Sequence, residues 1–308
     1  MADILRSQFT DLFLGTMLPA IDHLVSEEGM GSLEALDVVQ TIFNVKNSTR
    51  SIEQTSQISG FAEAPAKTEG ASVQFFTPVQ GFDNTFTHTT YALGLRVTHE
   101  FVRDNQFDLV ARWSRMLGRA LFETKQIQCA SIFNNGFTAT TDSPDGQFLF
   151  DTDHGLFGSG GTEQNRLTAA ADLSFASLRQ ALEDWADTRD FDNKRTNIDA
   201  AFLLHPAQLQ VDVDELLKSP TRPDTANRAI NSLSLRGLTG IMWKYLTDAD
   251  AWFIVAKPGD HEVWYWDRES VQTKSAEDSD SLSQKVISWR AFAQGTGDWH
   301  GLYGSPGV

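Results

Sequence analysis

Apolar residues recur every three or four places from about Asp104 to Asn134, the strongest helical pattern in the chain. The stripe runs Phe107, Val110, Trp113, Leu117, Leu121, Thr124, Ile127 and Ser131, widened by Leu109, Met116 and Ala120. Asp104 is placed to cap its start, and Asn134-Asn135-Gly136 to stop it. Roughly 30 residues at 1.5 Å rise make a rod of about 45 Å. The mean helix has only about 11–12 residues, so this one needs a partner surface along its length. Residues 3–25 also show helical spacing, through Leu5, Phe9, Leu12, Phe13, Met17, Ile21 and Leu24, with a break expected at Pro19.

Elsewhere the period shortens or vanishes. From about Thr41 to Gly70 no apolar pattern persists, and a stretch that long inside a compact domain reads better as an arm ordered by a neighbour. Residues 71–98 predict a projecting β-hairpin, with Ser72–Thr77 outward, turn residues at Pro78–Asn84, and Thr85–Thr98 returning. In the return strand Tyr91, Leu93, Leu95 and Val97 alternate with Thr90, Ala92, Gly94 and Arg96. Residues 138–170 are rich in turns, and a helix capped by Ser174 follows through Leu178, Leu182 and Trp185. Then come a strand at Ala200–Leu204, a helix through Leu209, Val213, Leu216 and Leu217, and a polar loop over Ser219–Asn227. Further strands are expected at Ile241–Leu246, Ala251–Ala256, His261–Trp266 and Lys285–Ala293, with an acidic turn over Ala276–Asp280. Strands in hairpins without a βαβ rhythm make the fold class α+β.

Composition adds an unusual aromatic set of 21 Phe and 8 Trp against 4 Tyr. Large rings suit a wide core or extensive contact between subunits. Charge narrows the partners. With 41 Asp plus Glu against 25 Lys plus Arg, the net is −16, and no Lys/Arg cluster is present to neutralise phosphates. Sequence-specific nucleic-acid binding and adhesion to an anionic membrane are therefore not expected. The single cysteine, Cys129, fits a reducing compartment. The start, Met1-Ala2-Asp3-Ile4-Leu5-Arg6, lacks signal-peptide features, and no apolar run approaches membrane-spanning length. The expected place of synthesis and assembly is a cytoplasm.

Candidate chemistry is sparse. Asp151-Thr152-Asp153-His154 could offer two carboxylates and an imidazole to a divalent metal, as in a metal-dependent hydrolase. No second His or Glu pair lies at ligand spacing, however, and a turn that hydrogen-bonds its own backbone accounts for the same residues. The glycines at 158, 160 and 161 lack the Lys-Ser or Lys-Thr of a phosphate loop. Gly295-Thr296-Gly297-Asp298-Trp299-His300-Gly301 matches a dinucleotide fingerprint only loosely, its third glycine coming one place late. No Gly-x-Ser-x-Gly elbow exists, Cys129 sits within the long helix, and the seven histidines are scattered singly. No catalytic residue, cofactor site or metal site is assigned.

Short stretches in order then carry a resemblance. They are Phe43-Asn44-Val45 with Ser48-Thr49-Arg50 and Ser59-Gly60-Phe61, and Leu93-Gly94-Leu95 with Thr98-His99-Glu100. Leu117-Gly118-Arg119-Ala120, Leu149-Phe150-Asp151-Thr152-Asp153-His154 and Tyr245-Leu246-Thr247-Asp248 before Ala251-Trp252-Phe253 continue the series. It ends on Asp298-Trp299-His300-Gly301-Leu302-Tyr303-Gly304-Ser305. The chain resembles the major capsid proteins of tailed bacteriophages, which share the Hong Kong 97-type fold with encapsulins.

The resemblance implies an N-terminal arm over residues 1–59 and an extended loop over 60–98. It implies a peripheral domain from 101–170 and 261–292, and an axial domain from 171–260 and 293–308. It further implies a virion shell of hexamers and pentamers around double-stranded DNA, with a scaffolding protein, a portal and decoration proteins as partners. An encapsulin-like compartment and a tail-tube component stand as alternatives, beside the hydrolase on Asp151, Asp153 and His154.

Overall fold

The computed structural model describes residues 37–60, 63–70, 72–98, 100–101, 107–140, 143–156, 160–222, 230–278 and 283–308. The helical spacing of residues 3–25 and the Asp104 cap lie outside these residues.

The architecture is α+β, built on two four-stranded sheets. Helix α1 (Val38–Ile42) leads into β1 (Asn44–Asn47), β2 (Ile52–Ile58), β3 (Gln80–Thr87) and β4 (Thr89–Val97). The long helix α2 (Phe107–Asn134) follows, then a small ladder of β5 (His154–Gly155) and β6 (Thr162–Glu163). Next are α3 (Phe175–Asp187), β7 (Ala200–His205), α4 (Gln210–Lys218), β8 (Thr239–Met242) and β9 (Trp252–Ala256). The chain ends in β10 (Val263–Asp278), β11 (Ser283–Thr296) and β12 (Leu302–Ser305). One sheet has the order β1-β10-β11-β4 and the other β12-β9-β7-β8.

Strand β9 explains how the two cores share a wall. Its five residues, Trp-Phe-Ile-Val-Ala, are all buried, because both faces are covered. Phe253 and Val255 enter a core with Phe43, Phe133, Phe150, Trp243 and Phe292. Trp252, Ile254 and Ala256 enter the other core, with Leu178, Leu203, Val213 and Tyr303. In the first core Phe133 meets Phe43, Trp243 and Phe253 edge-on, at 6.3, 5.9 and 5.3 Å between ring centroids. Such contacts add about 0.5–1.5 kcal/mol each beyond area burial. Helix α3 opens as expected: Ser174 accepts from the Ser177 amide, and Ser177 returns a bond to the cap backbone.

The hairpin expected over residues 72–98 does not form. Residues 72–79 hold no strand. Strand β3 occupies much of the expected turn and pairs antiparallel with β2, making a two-stranded ribbon that joins the expected arm to the expected extended loop. Strand β4 pairs instead with β11, Tyr91 opposite Arg290 and Val97 opposite Gln284. That pairing stacks Tyr91 on Phe292 at 4.8 Å and buries Val97. A local hairpin with 72–77 would leave both without a core. Strands β10 and β11 also run longer than the sequence predicts and pair from Val263–Thr296 to Asp278–Ser283. The strand expected at Ile241–Leu246 stops at Met242, where Trp243 turns inward with its indole held by Gln126.

The buried face of α2 also departs from the predicted stripe after Leu121. Phe122, Lys125, Gln126, Cys129 and Phe133 are buried, while Ile127 is 52% exposed. The cause is Asp37 on α1, whose carboxylate accepts from Lys125 Nζ at 2.5 Å, Gln126 Nε2 at 2.6 Å and the Val39 amide at 3.1 Å. Gln126 Oε1 in turn accepts from Trp243 Nε1 at 2.9 Å.

We predict that Lys125→Met lowers subunit stability by about 3–5 kcal/mol, because the Asp37 charge is left buried and uncompensated. The double variant Asp37→Asn/Lys125→Met should recover most of that loss in chemical denaturation. An unchanged midpoint for the single variant would show that the pair does not hold α1 on α2.

Candidate functional site

The segment singled out for metal chemistry is a structural turn. His154 is fully buried, and its Nδ1 lies 2.6 Å from Asp145 Oδ2, its Nε2 3.1 Å from Asn165 Oδ1. Its ring stacks on Trp299 at 4.5 Å. Asn165 closes the turn, accepting from the Asp151 amide at 2.8 Å and donating to the Leu149 carbonyl at 2.8 Å. Asp151 uses one carboxylate oxygen on the Thr152 amide, and Asp153 is exposed. The residue that joins His154 is therefore Asp145, and neither Asp151 nor Asp153 does. Among the described residues no three His, Cys, Asp or Glu side chains converge as metal ligands do. Burial opposes ionisation of Asp145, but hydrogen bonds from His154 and Ser143 outweigh it and hold the carboxyl below its usual range.

The other sequence candidates are likewise absorbed into packing. The Cys129 thiol is fully buried and burial pushes its pKa far up, so it is poorly suited to act as a nucleophile. Gly295 lies against Phe86, whose ring a Cβ there would approach to 2.0 Å, so that glycine serves close packing. In the same loose fingerprint, His300 and Asp298 form a pair that the sequence alone did not bring together. His300 Nδ1 lies 2.8 and 2.9 Å from the Asp298 oxygens, and its Nε2 2.9 Å from the Arg189 carbonyl. The Asp37–Lys125–Gln126 network was missed too. Its one sequence signal is a Lys-Gln pair in register with Leu121, Phe122, Cys129 and Phe133 on α2.

Two open surfaces among the described residues are apolar. Val73, Phe75, Phe76 and Val79, between β2 and β3, are exposed, Phe75 to 93%. A groove of about 440 Å³ between β4 and α2 is lined by Leu93, Leu95, Arg96, Trp113, Met116 and Leu117. Arg112, Arg115 and Arg119 are exposed along α2; pairing with Asp104 and Asp108 falls outside the described residues. Exposed rings on a strand-free segment suit association of copies.

A family model described as phage capsid protein matches residues 83–305, well over half the chain. The chain belongs to the phage capsid protein family. It is a capsid protein of the phage head and not an enzyme. No curated protein matches it. Among solved structures, the capsid of the cyanophage P-SCSP1u is similar at a TM-score of 0.57 and 11% identity, over 88% of each chain. The capsid of bacteriophage JBD30, decorated with minor capsid protein trimers, reaches 0.56 at 11% identity, over 68% of this chain and 91% of that one. A virus-like particle from Pyrococcus furiosus reaches 0.52 at 9% identity, over 94% of this chain and 99% of that one. At such identities these likenesses establish the shared capsid fold.

Because Asp145 is held below its ordinary pKa, its contribution is present above the unfolded value and is lost as pH falls through the folded one. Asp145→Asn should cost about 1–3 kcal/mol near neutral pH. The difference from the wild type should shrink in acid, below the ordinary carboxylate range. Calorimetry across pH checks this, and a gap that persists in strong acid would mean the aspartate acts through packing alone.

Proposed function

We propose that this capsid protein is the major subunit of an icosahedral head, closing as hexamers and pentamers around double-stranded DNA. The observation that carries the reading is the coincidence of the phage capsid family with an apolar segment the subunit does not itself cover. The alternating core supports the parts expected of such a subunit. One cluster draws its members from residues 167–256 plus Tyr303, in keeping with an axial domain of 171–260 and 293–308. The paired β10–β11 strands with α2 and β4 form the peripheral domain of 101–170 and 261–292, joined by the end of the extended loop of 60–98. Residues 1–59 act as the arm, anchored at Asp37.

The segment with Phe75 and Phe76 reaches a second copy and seats its rings in the groove of Leu93, Trp113, Met116 and Leu117. Both surfaces are apolar, and each lies on every copy, so the contact is head-to-tail, the kind that builds a ring when the rotation between copies closes. A separate scaffolding protein, a portal and decoration proteins complete the assembly. DNA is enclosed and moved by a motor, since a net charge of −16 opposes retention through phosphates. An encapsulin-like compartment is the alternative shell, and the family match favours the phage head.

Electron microscopy of the purified protein, alone and with its neighbouring genes, should show closed shells. A subunit that stays a 34.2 kDa monomer in sedimentation under every condition would overturn the reading. The groove is tested by Phe75→Cys with Met116→Cys, the native Cys129 being buried. Oxidised particles should run as covalent ladders on denaturing gels. Particles that form without ladders would move the contact elsewhere.

A further inference from the structure

The β2–β3 ribbon is held to the body by two attachments of different chemistry. Near its base Phe86 lies tilted against Trp266, 4.8 Å between ring centroids, and packs over Gly295. Asn84 Nδ2 then donates to the Thr296 carbonyl at 3.0 Å. Toward the far end the partners become carboxylates. Gln57 Nε2 donates to the Gly297 carbonyl at 3.2 Å and to Asp298 Oδ1 at 3.3 Å. Gly60 passes against Asp192 and Asp190, whose oxygens would lie 3.0 and 3.4 Å from a Cβ there.

This far attachment buries several oxygens that have no partner. Glu262 Oε2 and Thr55 Oγ1 converge on Gly297, where a Cβ would lie 2.4 and 2.9 Å from them. Both atoms are buried without a hydrogen-bond partner, as are Asp192 Oδ2 and Gln57 Oε1, on a glutamine only 4% exposed. The two ring nitrogens of His300 both face acceptors, the Asp298 carboxylate and the Arg189 carbonyl. Neutral imidazole has one N–H, so the imidazolium alone satisfies both. A proton on Glu262 would likewise add a donor and remove a charge beside Asp298.

We propose that Glu262, set beside Asp298 where Thr55 and Gln57 of the ribbon meet the body, is a proton-operated latch, holding the far end of the ribbon on the body when protonated and freeing it to lift about Phe86 when deprotonated. Burial and the neighbouring Asp298 charge raise the Glu262 carboxyl above its usual range, against opposing pulls from His300 and Lys46. Burial disfavours the His300 cation, but Asp298, the Arg189 carbonyl and Asp190 outweigh it, and its pKa is raised. Glu262 shares the space over Gly297 with Thr55 of the ribbon, so it favours the docked ribbon when its carboxyl is protonated, and that preference is lost as pH rises through its raised value. The His300 partners all lie on the body, so His300 acts only through the positive charge it sets beside Asp298. Asp190, Lys194, Arg195, Asp260 and His261 line the same cleft, and Glu163 of β6 faces His300 and Arg189 from the other side. His261, pushed down to about 4 by burial, stays neutral through the working range. The consequence for assembly rests on the shell reading: the ribbon carries Phe75 and Phe76, so proton uptake would set their reach toward a neighbour.

The latch is measured on unassembled full-length subunits, so its failure is separate from any failure to form shells. Spin labels on Gln54→Cys in β2 and Lys257→Cys on the body report their separation at about pH 5 and about pH 8, the range in which imidazole titrates. The distance distribution should shift longer and broaden at the higher pH. Glu262→Gln, neutral throughout, should keep more of the short distance at the higher pH. Gln57→Leu, which removes the ribbon's own donor, should lengthen it at both and serves if the glutamine variant fails to fold. A wild-type distance that is the same at both pH values, or a Glu262→Gln protein with the full wild-type response, would overturn the latch.

Discussion

Asp37 is the point through which the separate parts of the subunit are held in register. It is 5% exposed, and a carboxylate so placed is tolerated only where donors surround it. Those donors come from Lys125 and Gln126, so α1 is fixed on α2 in one orientation. Lys125 also lies 4.9 Å over the Tyr265 ring, and the Tyr265 hydroxyl accepts from Arg290 at 2.6 Å. Gln126 passes the constraint to Trp243 in the aromatic core. One buried charge thus couples α1, α2, strands β10 and β11, and the first aromatic core. An apolar substitute could fill the space, but many registers of α1 on α2 would then bury similar area. Charged hydrogen bonds select one.

That rigidity contrasts with the ribbon. Strands β2 and β3 pair with each other and touch the body along one line, from Phe86 to Gln57. A two-stranded ribbon is marginal alone in water, so its position follows its attachments rather than its own hydrogen bonds. The apolar contact at Phe86 is insensitive to pH, while the contact at Asp298 is ionisable. A segment hinged this way can change its reach without disturbing the sheet that carries β4.

The elements legible in the sequence were those whose partners are local. Ser174 caps α3 because its acceptor serves an amide three residues on, and Ala251–Ala256 reads as a strand because both faces are apolar. The errors lie where partners are distant. Strand β4 pairs with residues nearly two hundred places later, and no local feature distinguishes that from pairing with 72–77. Lys125 and Gln126 read as a solvent face because their acceptor, Asp37, is on another helix. The Asp151–His154 motif shows the same limit: the turn was legible, but the His154 partner, Asp145, was hidden upstream in a Ser-Pro-Asp-Gly sequence. The family resemblance succeeded because it summed many short matches in order, none of which needed a contact to be known.

The aromatic surplus then divides into two populations. Phe43, Phe133, Phe150, Phe253 and Trp243 are spent on a dense intramolecular core, which accounts for rings that composition alone could have assigned to contacts between copies. Phe75 and Phe76 lie on residues without a strand and remain exposed. Keeping such rings in water is unfavourable for an isolated subunit, by roughly 25 cal/mol for each Å² of apolar surface left uncovered. The same surface becomes favourable once a neighbour covers it. Spreading many moderate contacts of this kind around a closed shell lets each be reversible while the whole is stable. An acidic surface adds repulsion between copies that meet in the wrong orientation, so the apolar rings can act only where the rest of the interface fits.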